Sequence, residues 1–323
     1  MATYKGIQGY SVQKLSSDPT AGSGSDGQLW YNSTSGKFKI TVAGTGAWAS
    51  INPINTGRNR GAGGGIGTQT AGMIAGGFTP GQTAAVEQFD GTTWTEGPMA
   101  DLPAVTSNAG QCGTQTAALV VGGISPAGAT GVVNVWEGDG STWTAGADYP
   151  TARESIAVGG IQTAALSIGG TPPTLDTCFK YDGTSWTATG AFIKVSALAG
   201  IAGVQTAAIA FGGTAGPTPS ADAATFDGST WTESTSMTTA RDEFGWSTKG
   251  TTTDALASGN PSGNTEKWNG SSWTELANMG TARKSMFSGG TAGGMWLAGG
   301  TPYTTIAEEW NDPVYSIKTV TVS

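Results

Sequence analysis

Histidine is absent from the 323 residues. That absence removes the commonest general base, the usual zinc ligand, and every Ser-His or Cys-His nucleophile pair. Only two cysteines occur, Cys112 and Cys178. They are too far apart in sequence to form a metal motif, and they read as two small buried thiols, with a disulfide as the alternative. Charge is scarce: 12% of residues are Asp, Glu, Lys or Arg, and the formal net charge is −8. With 15 Lys plus Arg and no basic run, a nucleic-acid partner is not expected. No run of 18 apolar residues is present, so no membrane-spanning helix and no membrane insertion are expected. The first residues, Met1 to Gly6, lack the apolar core of a secretory signal.

Glycine, threonine and tryptophan are abundant instead. There are 53 Gly and 12 Trp. Gly does not recur every third residue, which excludes collagen, and so many Trp argue against a disordered chain. The Trp content is periodic. Trp48, Trp94, Trp143, Trp186, Trp231 and Trp273 fall 46, 49, 43, 45 and 42 residues apart. Five are preceded by Asp-Gly or Asn-Gly: Asp90-Gly91, Asp139-Gly140, Asp182-Gly183, Asp227-Gly228 and Asn269-Gly270. These dipeptides tolerate positive φ and suit tight hairpin turns. In five of the six units an apolar run ends in a glycine pair: Gly76-Gly77, Gly122-Gly123, Gly169-Gly170, Gly212-Gly213 and Gly299-Gly300. In the fifth unit the pair aligns as Ser258-Gly259. Gln69, Gln115, Gln162 and Gln205 each stand seven residues before a glycine pair. Arg58, Arg153, Arg241 and Arg283 each stand ten residues after a repeat Trp, where the other two units hold Ala104 and Ser196.

Each unit reads as four strands: a after the Arg, b into Gly-Gly, c into Asp-Gly, and d carrying the Trp. Six such units describe an all-β fold, a β-propeller with almost no helix. The Trp48 strand precedes the first complete a-b-c set, so the economical closure pairs it with the last set. The count is six four-stranded blades. The alternative is seven, with residues 29–51 in a seventh blade and the tail from Ser316 to Val322 supplying the missing d strand. The glycine pairs are expected to relieve crowding near the central axis, and the Trp to fill the space between blades. Residues 1–25 precede the repeat as a short extended N-terminal segment, with 16–25 read as a flexible linker. Residues 26–323 form the propeller: 26–51 an N-terminal hairpin and closing strand, 52–310 the repeat blades, and 311–323 a C-terminal strand.

Gly-Gly, then an aromatic near the end of the next strand (Phe89, Trp136, Tyr181, Phe226, Trp268, Trp310), then a Trp, resembles the kelch repeat. The closer resemblance is to kelch-like proteins of marine bacteriophages, especially those of cyanobacteria. There, units like Gly-Thr-Gln-Thr-Ala-Ala…Gly-Gly…Asp-Gly-Thr-Ser-Trp-Thr recur in virion and tail-fibre proteins. The stretch from Asp26 to Phe38 is similar to a hairpin of phage fibre proteins. The resemblance implies a non-enzymatic virion protein, made in the host cytoplasm. It would be a tail-fibre or host-adsorption component binding a host surface glycan or receptor protein, or alternatively a capsid or tail decoration protein binding only other virion subunits. Tyr4, Ile7, Tyr10, Val12 and Leu15 are candidate anchors to those subunits, and a homo-oligomer is an open alternative. The Asp-Gly…Trp turns are also similar to the Asp-box of sialidases, one residue shorter, which leaves a glycan hydrolase as the least supported class.

Strand alternation puts the b–c and d–a connections on one face. The b–c loops vary in length and sequence, and diversified loops on a rigid scaffold are where recognition usually resides. The candidate ligand-binding residues are therefore Phe78, Pro80, Pro126, Pro172, Pro217 and Tyr303 on those loops. Arg58, Arg153, Arg241 and Arg283 are candidates for ringing the channel mouth, where guanidinium groups suit anionic glycans. The competing reading is that each Arg bonds carbonyls or an acid of its own repeat. No catalytic set, metal site or cofactor motif stands out. Asp90, Asp139, Asp182 and Asp227 fall in separate units, and the glycine-rich stretch 61–67 has no following helix to cradle a phosphate.

Overall fold

The computed structural model describes residues 12–61, 64–125, 131–194 and 196–321. It is all-β: among the described residues the only helical element is a short 3-10 turn at Ser23–Ser25. The chain divides into two compact units, Met1–Ala47 with Asp312–Ser323, and Trp48–Asn311. Among the described residues there are seven four-stranded sheets, where the repeat led to an expectation of six with seven as the alternative.

Six of these sheets carry the repeat. Sheet 1 is Ile66–Thr68, Ala71–Ala75, Val86–Phe89 and Trp94–Glu96, in the order a-b-c-d. Sheet 2 is Gly110–Thr114, Ala117–Val121, Val135–Gly138 and Trp143–Ala145. Sheet 3 is Ala157–Ile161, Ala164–Ile168, Cys178–Tyr181 and Trp186–Thr189. Sheet 4 is Gly200–Val204, Ala207–Phe211, Ala223–Phe226 and Trp231–Ser234. Sheet 5 is Gly245–Trp246, Ala255–Ser258, Thr265–Trp268 and Trp273–Leu276. Sheet 6 is Phe287–Thr291, Gly294–Ala298 and Ala307–Asn311, completed by Ala47–Ile51. The strand of Trp48 thus joins the last repeat, as the closure argument requires. Each a strand packs against the next, and that of sheet 6 packs against that of sheet 1, so the larger unit is propeller-like.

The seventh sheet lies in the smaller unit and owes nothing to the repeat. Its order is Gln13–Leu15, Leu29–Asn32, Lys37–Ala43 and Tyr315–Thr319. Its first pair is parallel. The tail therefore joins residues 29–43, and neither extends a repeat blade nor supplies a repeat d strand. The stretch 16–25 is held and is not a free spacer. Asp18 accepts hydrogen bonds from Trp30 Nε1 at 3.1 Å and Asn32 Nδ2 at 2.5 Å, and Ser25 is buried. The anchor candidates Tyr4, Ile7 and Tyr10 lie outside the described residues.

The phased residues each have a mechanical role. The c-strand aromatic and the d-strand Trp are cross-strand partners at Phe89–Trp94, Tyr181–Trp186, Phe226–Trp231 and Trp268–Trp273. Their ring centroids lie 4.7 to 5.6 Å apart, and such pairs add about 0.5–1.5 kcal/mol beyond burial. In sheet 2 the partner of Trp143 is Gly138, not Trp136, which sits two residues earlier. Trp94 also meets Trp296 of sheet 6, and Trp273 meets Phe211 of sheet 4, so apolar packing runs between sheets. The glutamines sit in the a–b turns and clamp the preceding sheet. Gln162 Nε2 donates to Ala118 O at 3.0 Å and Gly138 O at 2.9 Å. Gln115 does the same to Gly72 and Phe89, Gln205 to Ala165 and Tyr181, and Gln69 to Trp310.

The glycine pairs serve the joints between sheets more than the axis. The second residue of each pair donates its N–H to a carbonyl just ahead of the next a strand. These bonds are Gly77 to Thr106, Gly123 to Arg153, Gly170 to Ser196, Gly213 to Arg241, Asn260 to Arg283 and Gly300 to Arg58. Both members of the glycine pairs take positive φ, and a Cβ on the first would strike the same carbonyl, as at Gly122 against Arg153 O. The pattern also corrects two alignments. The fifth pair is Gly259-Asn260, shifted by one from Ser258-Gly259. In the second repeat the residue equivalent to Arg is Thr106, not Ala104.

Candidate functional site

The four phased arginines are inside the protein. Arg58, Arg153, Arg241 and Arg283 are 0, 2, 0 and 7% exposed. Arg58 donates to Gly76 O and Ala85 O and pairs with Glu87 at 2.6 Å. Arg241 donates to Gly259 O and Asn264 O and pairs with Glu266 at 2.5 Å. Arg283 donates to Gly299 O and Thr281 O and pairs with Glu308. Each of these carboxylates also accepts N–H groups from the preceding d–a connection, at Asn55, Thr238 and Gly280 respectively. Burial lowers the pKa of Arg58, Arg241 and Arg283, and the paired carboxylates oppose that pull. For Glu266, burial pushes the pKa up, but the Thr238 and Arg241 hydrogen bonds outweigh it and the net direction is down. Arg153 has no such acid: the residue equivalent to Glu87 is Phe179, and Nη1 donates to Pro173 O at 3.3 Å. These arginines are internal staples of their own repeats and line no mouth.

Two residues beyond each of these arginines, and beyond Thr106 and Ser196 in the other two repeats, lies a residue with left-handed backbone. Arg60, Asn108, Ser155, Leu198, Glu243 and Ser285 have φ between 49° and 62°. A non-glycine residue in this region costs on the order of 1 kcal/mol, so six equivalent cases need support from outside the residue. A collar of backbone hydrogen bonds supplies it: Asn108 N–H to Arg60 O at 3.0 Å, Ser155 to Asn108 at 2.8 Å, Leu198 to Ser155 at 3.1 Å, and Ser285 to Glu243 at 2.7 Å. Gly61 N–H continues it to Ser285 O at 3.2 Å.

The collar lines a polar cavity of about 490 Å³. Its remaining walls come from d–a residues such as Glu154 and Lys284 and from b–c residues Ile124 and Thr301, so the cavity lies on the b–c side. Most of its polar groups are oriented by neighbours. Asn108 Nδ2 donates to Glu154 at 2.6 Å. Lys284 Nζ donates to Glu243 at 3.1 Å, and the Ser285 hydroxyl donates to the same carboxylate. Asp242 beside them is pushed up by burial and by the Glu243 charge. Arg60 differs, for among the described residues no carboxylate pairs with it. Its guanidinium carbon lies 4.1 Å from the centroid of the Phe78 ring.

The predicted loop residues divide accordingly. Phe78 is half-buried, with Arg60 over its ring and Tyr303 at 5.9 Å between centroids, tilted by 34°. Its ring is thus engaged inside the protein, whereas Tyr303 is 45% exposed. Pro80, Pro172 and Pro217 are exposed on three separate loops and do not line the cavity. Pro126 lies outside the described residues. Arg60, Asn108, Glu154, Glu243 and Lys284 were missed because the sequence signal was phase with the Trp. Only the buried member of each Arg-x-Arg, Arg-x-Glu or Arg-x-Ser stretch repeats; the cavity-facing position varies between units. That variation at a fixed position is the signal that would have found them.

Cys112 and Cys178 are free and buried, and burial pushes both thiols up to about 12. Among the described residues no group of three or more His, Cys, Asp or Glu is placed to hold a metal ion, and no helix is long and apolar enough to cross a membrane. No protein-family model matches the chain, and no curated protein is significantly similar to it.

Proposed function

We propose that this chain is a non-enzymatic bacteriophage structural protein, a tail-fibre or host-adsorption component that binds a host surface glycan or protein. In this reading the six repeat sheets are the blades of a kelch-like propeller. The observation that carries it is the contrast between joints and cavity. The phased Gly, Gln and Trp hold sheet to sheet and the buried Arg staple each repeat internally, while the collar positions hold six side chains of five different types facing one cavity. A repeated scaffold that diversifies at one lined hollow is suited to recognition.

The smaller unit supports attachment to other virion proteins. Leu29, Phe38 and Val42 are 43, 48 and 40% exposed, and large exposed apolar side chains gathered on one short sheet are suited to a protein contact. The same feature favours the second reading, a capsid or tail decoration protein that binds only virion subunits. Immunogold labelling of intact particles separates the two. Label at the tail tip, together with attachment of the purified protein to host cells, is expected for adsorption. Label in a regular array on the head without cell attachment would replace that reading with decoration. Within the adsorption reading, Tyr303→Ala is expected to weaken attachment with the fold intact.

A further inference from the structure

We propose that the collar cavity binds a monoanionic sugar, a uronic acid residue of a polysaccharide, through Arg60. The proposal rests on the binding function above and names its ligand class. The cavity holds four charged side chains, and three of them are already committed. Glu243 is held by Lys284 and Ser285, and Glu154 accepts from Asn108. Arg60 is the charge left over, and its position is set by stacking on Phe78. The Arg60 guanidinium carbon lies 4.1 Å from the Phe78 ring centroid and no carboxylate of the described residues pairs with it, and a guanidinium matches a carboxylate with two parallel hydrogen bonds.

The charge balance selects among anions. Arg60 and Lys284 are offset by Glu154 and Glu243, so the cavity is neutral when empty. One carboxylate on Arg60 is tolerated. A phosphate or sulfate cluster would place further negative charge beside two fixed carboxylates in a partly enclosed space, where repulsion is poorly screened. The remaining groups suit hydroxyls. Glu154 and Glu243 are oriented acceptors, and Ser155 with the amide of Asn108 adds donor and acceptor capacity. Tyr303 does not line the cavity itself, but it packs on Phe78, is exposed, and offers a flat apolar surface for the face of an adjoining pyranose ring. The volume of about 490 Å³ accommodates one or two sugar residues.

The test is calorimetric titration of the full chain with an oligogalacturonate and with a neutral glucose oligomer of equal length. The wild type is expected to bind the uronate about tenfold or more tightly than the neutral oligomer. Arg60→Gln is expected to erase that preference, and Arg60→Lys to restore part of it. Unchanged thermal unfolding of Arg60→Gln would show that the loss is local. Equal affinity for both oligomers, no uronate binding by folded wild type, or an undiminished preference in Arg60→Gln would overturn the proposal. Host-cell attachment, measured in parallel, reads the function separately. Wild type that attaches to cells but ignores uronate sinks the ligand assignment alone; wild type that binds uronate but not cells sinks adsorption alone.

Discussion

The backbone N–H of Gly300 donates to the carbonyl of Arg58 at 2.9 Å, and this bond joins the last repeat to the first. It is equivalent to the five bonds that join each other sheet to its successor. The unit therefore closes on itself with the same joint that it uses internally, and the Trp48 strand in sheet 6 completes the seam.

Gly299 takes φ of 69°, and a Cβ there would strike Arg58 O. Gly299→Ala is expected to destabilise by about 2–3 kcal/mol, combining left-handed strain with a displaced carbonyl. Gly97 also has positive φ but nothing within 4 Å, so Gly97→Ala is expected to cost only about 1 kcal/mol. Urea unfolding of both variants checks the difference; equal losses would show that the joint tolerates a methyl group.

The Arg241–Glu266 pair is fully buried on both sides. Glu266→Ala is expected to lose about 3–5 kcal/mol, because it strands a buried guanidinium. The fourth repeat carries Ser196 and Ala224 at the equivalent positions. The double variant Arg241→Ser with Glu266→Ala should therefore recover a large part of the loss. A double-mutant cycle by chemical denaturation measures it, and strict additivity would refute the pairing.

Asp90, Asp139, Asp182 and Asp227 each accept the N–H groups two and three residues on. All four pKa values are lowered, that of Asp182 to about 2 by the Thr184 hydroxyl and the Thr184 and Ser185 N–H groups. A lowered folded pKa means stability that is present above the unfolded value, about 3.9, and is lost as pH falls through the folded one. Thermal unfolding temperature is thus expected to drop between about pH 4 and pH 2. Asp182→Asn should flatten that slope, since Asn269 makes the same turn without titrating.

Gln162 holds two carbonyls of sheet 2 from sheet 3. Gln162→Ala is expected to cost about 1–3 kcal/mol, the penalty for leaving partly buried carbonyls unsatisfied. Gln162→Glu should cost at least as much, because a carboxylate cannot donate. Differential scanning calorimetry distinguishes both from a surface residue, whose removal changes little.

The repeat, its four strands, the Asp-Gly hairpins and the closure by the Trp48 strand were legible in the chain. Hydrophobic alternation and turn chemistry act over a few residues, and six copies average out local exceptions. The one-residue shift at Gly259-Asn260 was not legible, because Ser258-Gly259 matches the apolar run equally well and only the hydrogen bond to Arg283 fixes the register. The hairpin after Asp26 and the tail strand of the seventh sheet were legible, but their joining into one sheet was not. It pairs residues 39–43 with 315–319, and no local pattern announces a contact between segments so far apart in sequence.

Phase alone marked Arg58, Arg153, Arg241 and Arg283 as special and left open whether they face a ligand or a carboxylate. Glu87, Glu266 and Glu308 stand in three of the same repeats, and the fourth repeat, without the Arg, has Ala224 in that place. The sequence by itself determined the architecture of the unit, because that follows from periodicity. Tertiary structure alone decided which of two arginines two residues apart is internal and which faces a cavity. A strand's own pattern does not say where its neighbours' carbonyls fall, and here those carbonyls bury Arg58 while the left-handed turn at Arg60 brings the next side chain to the cavity.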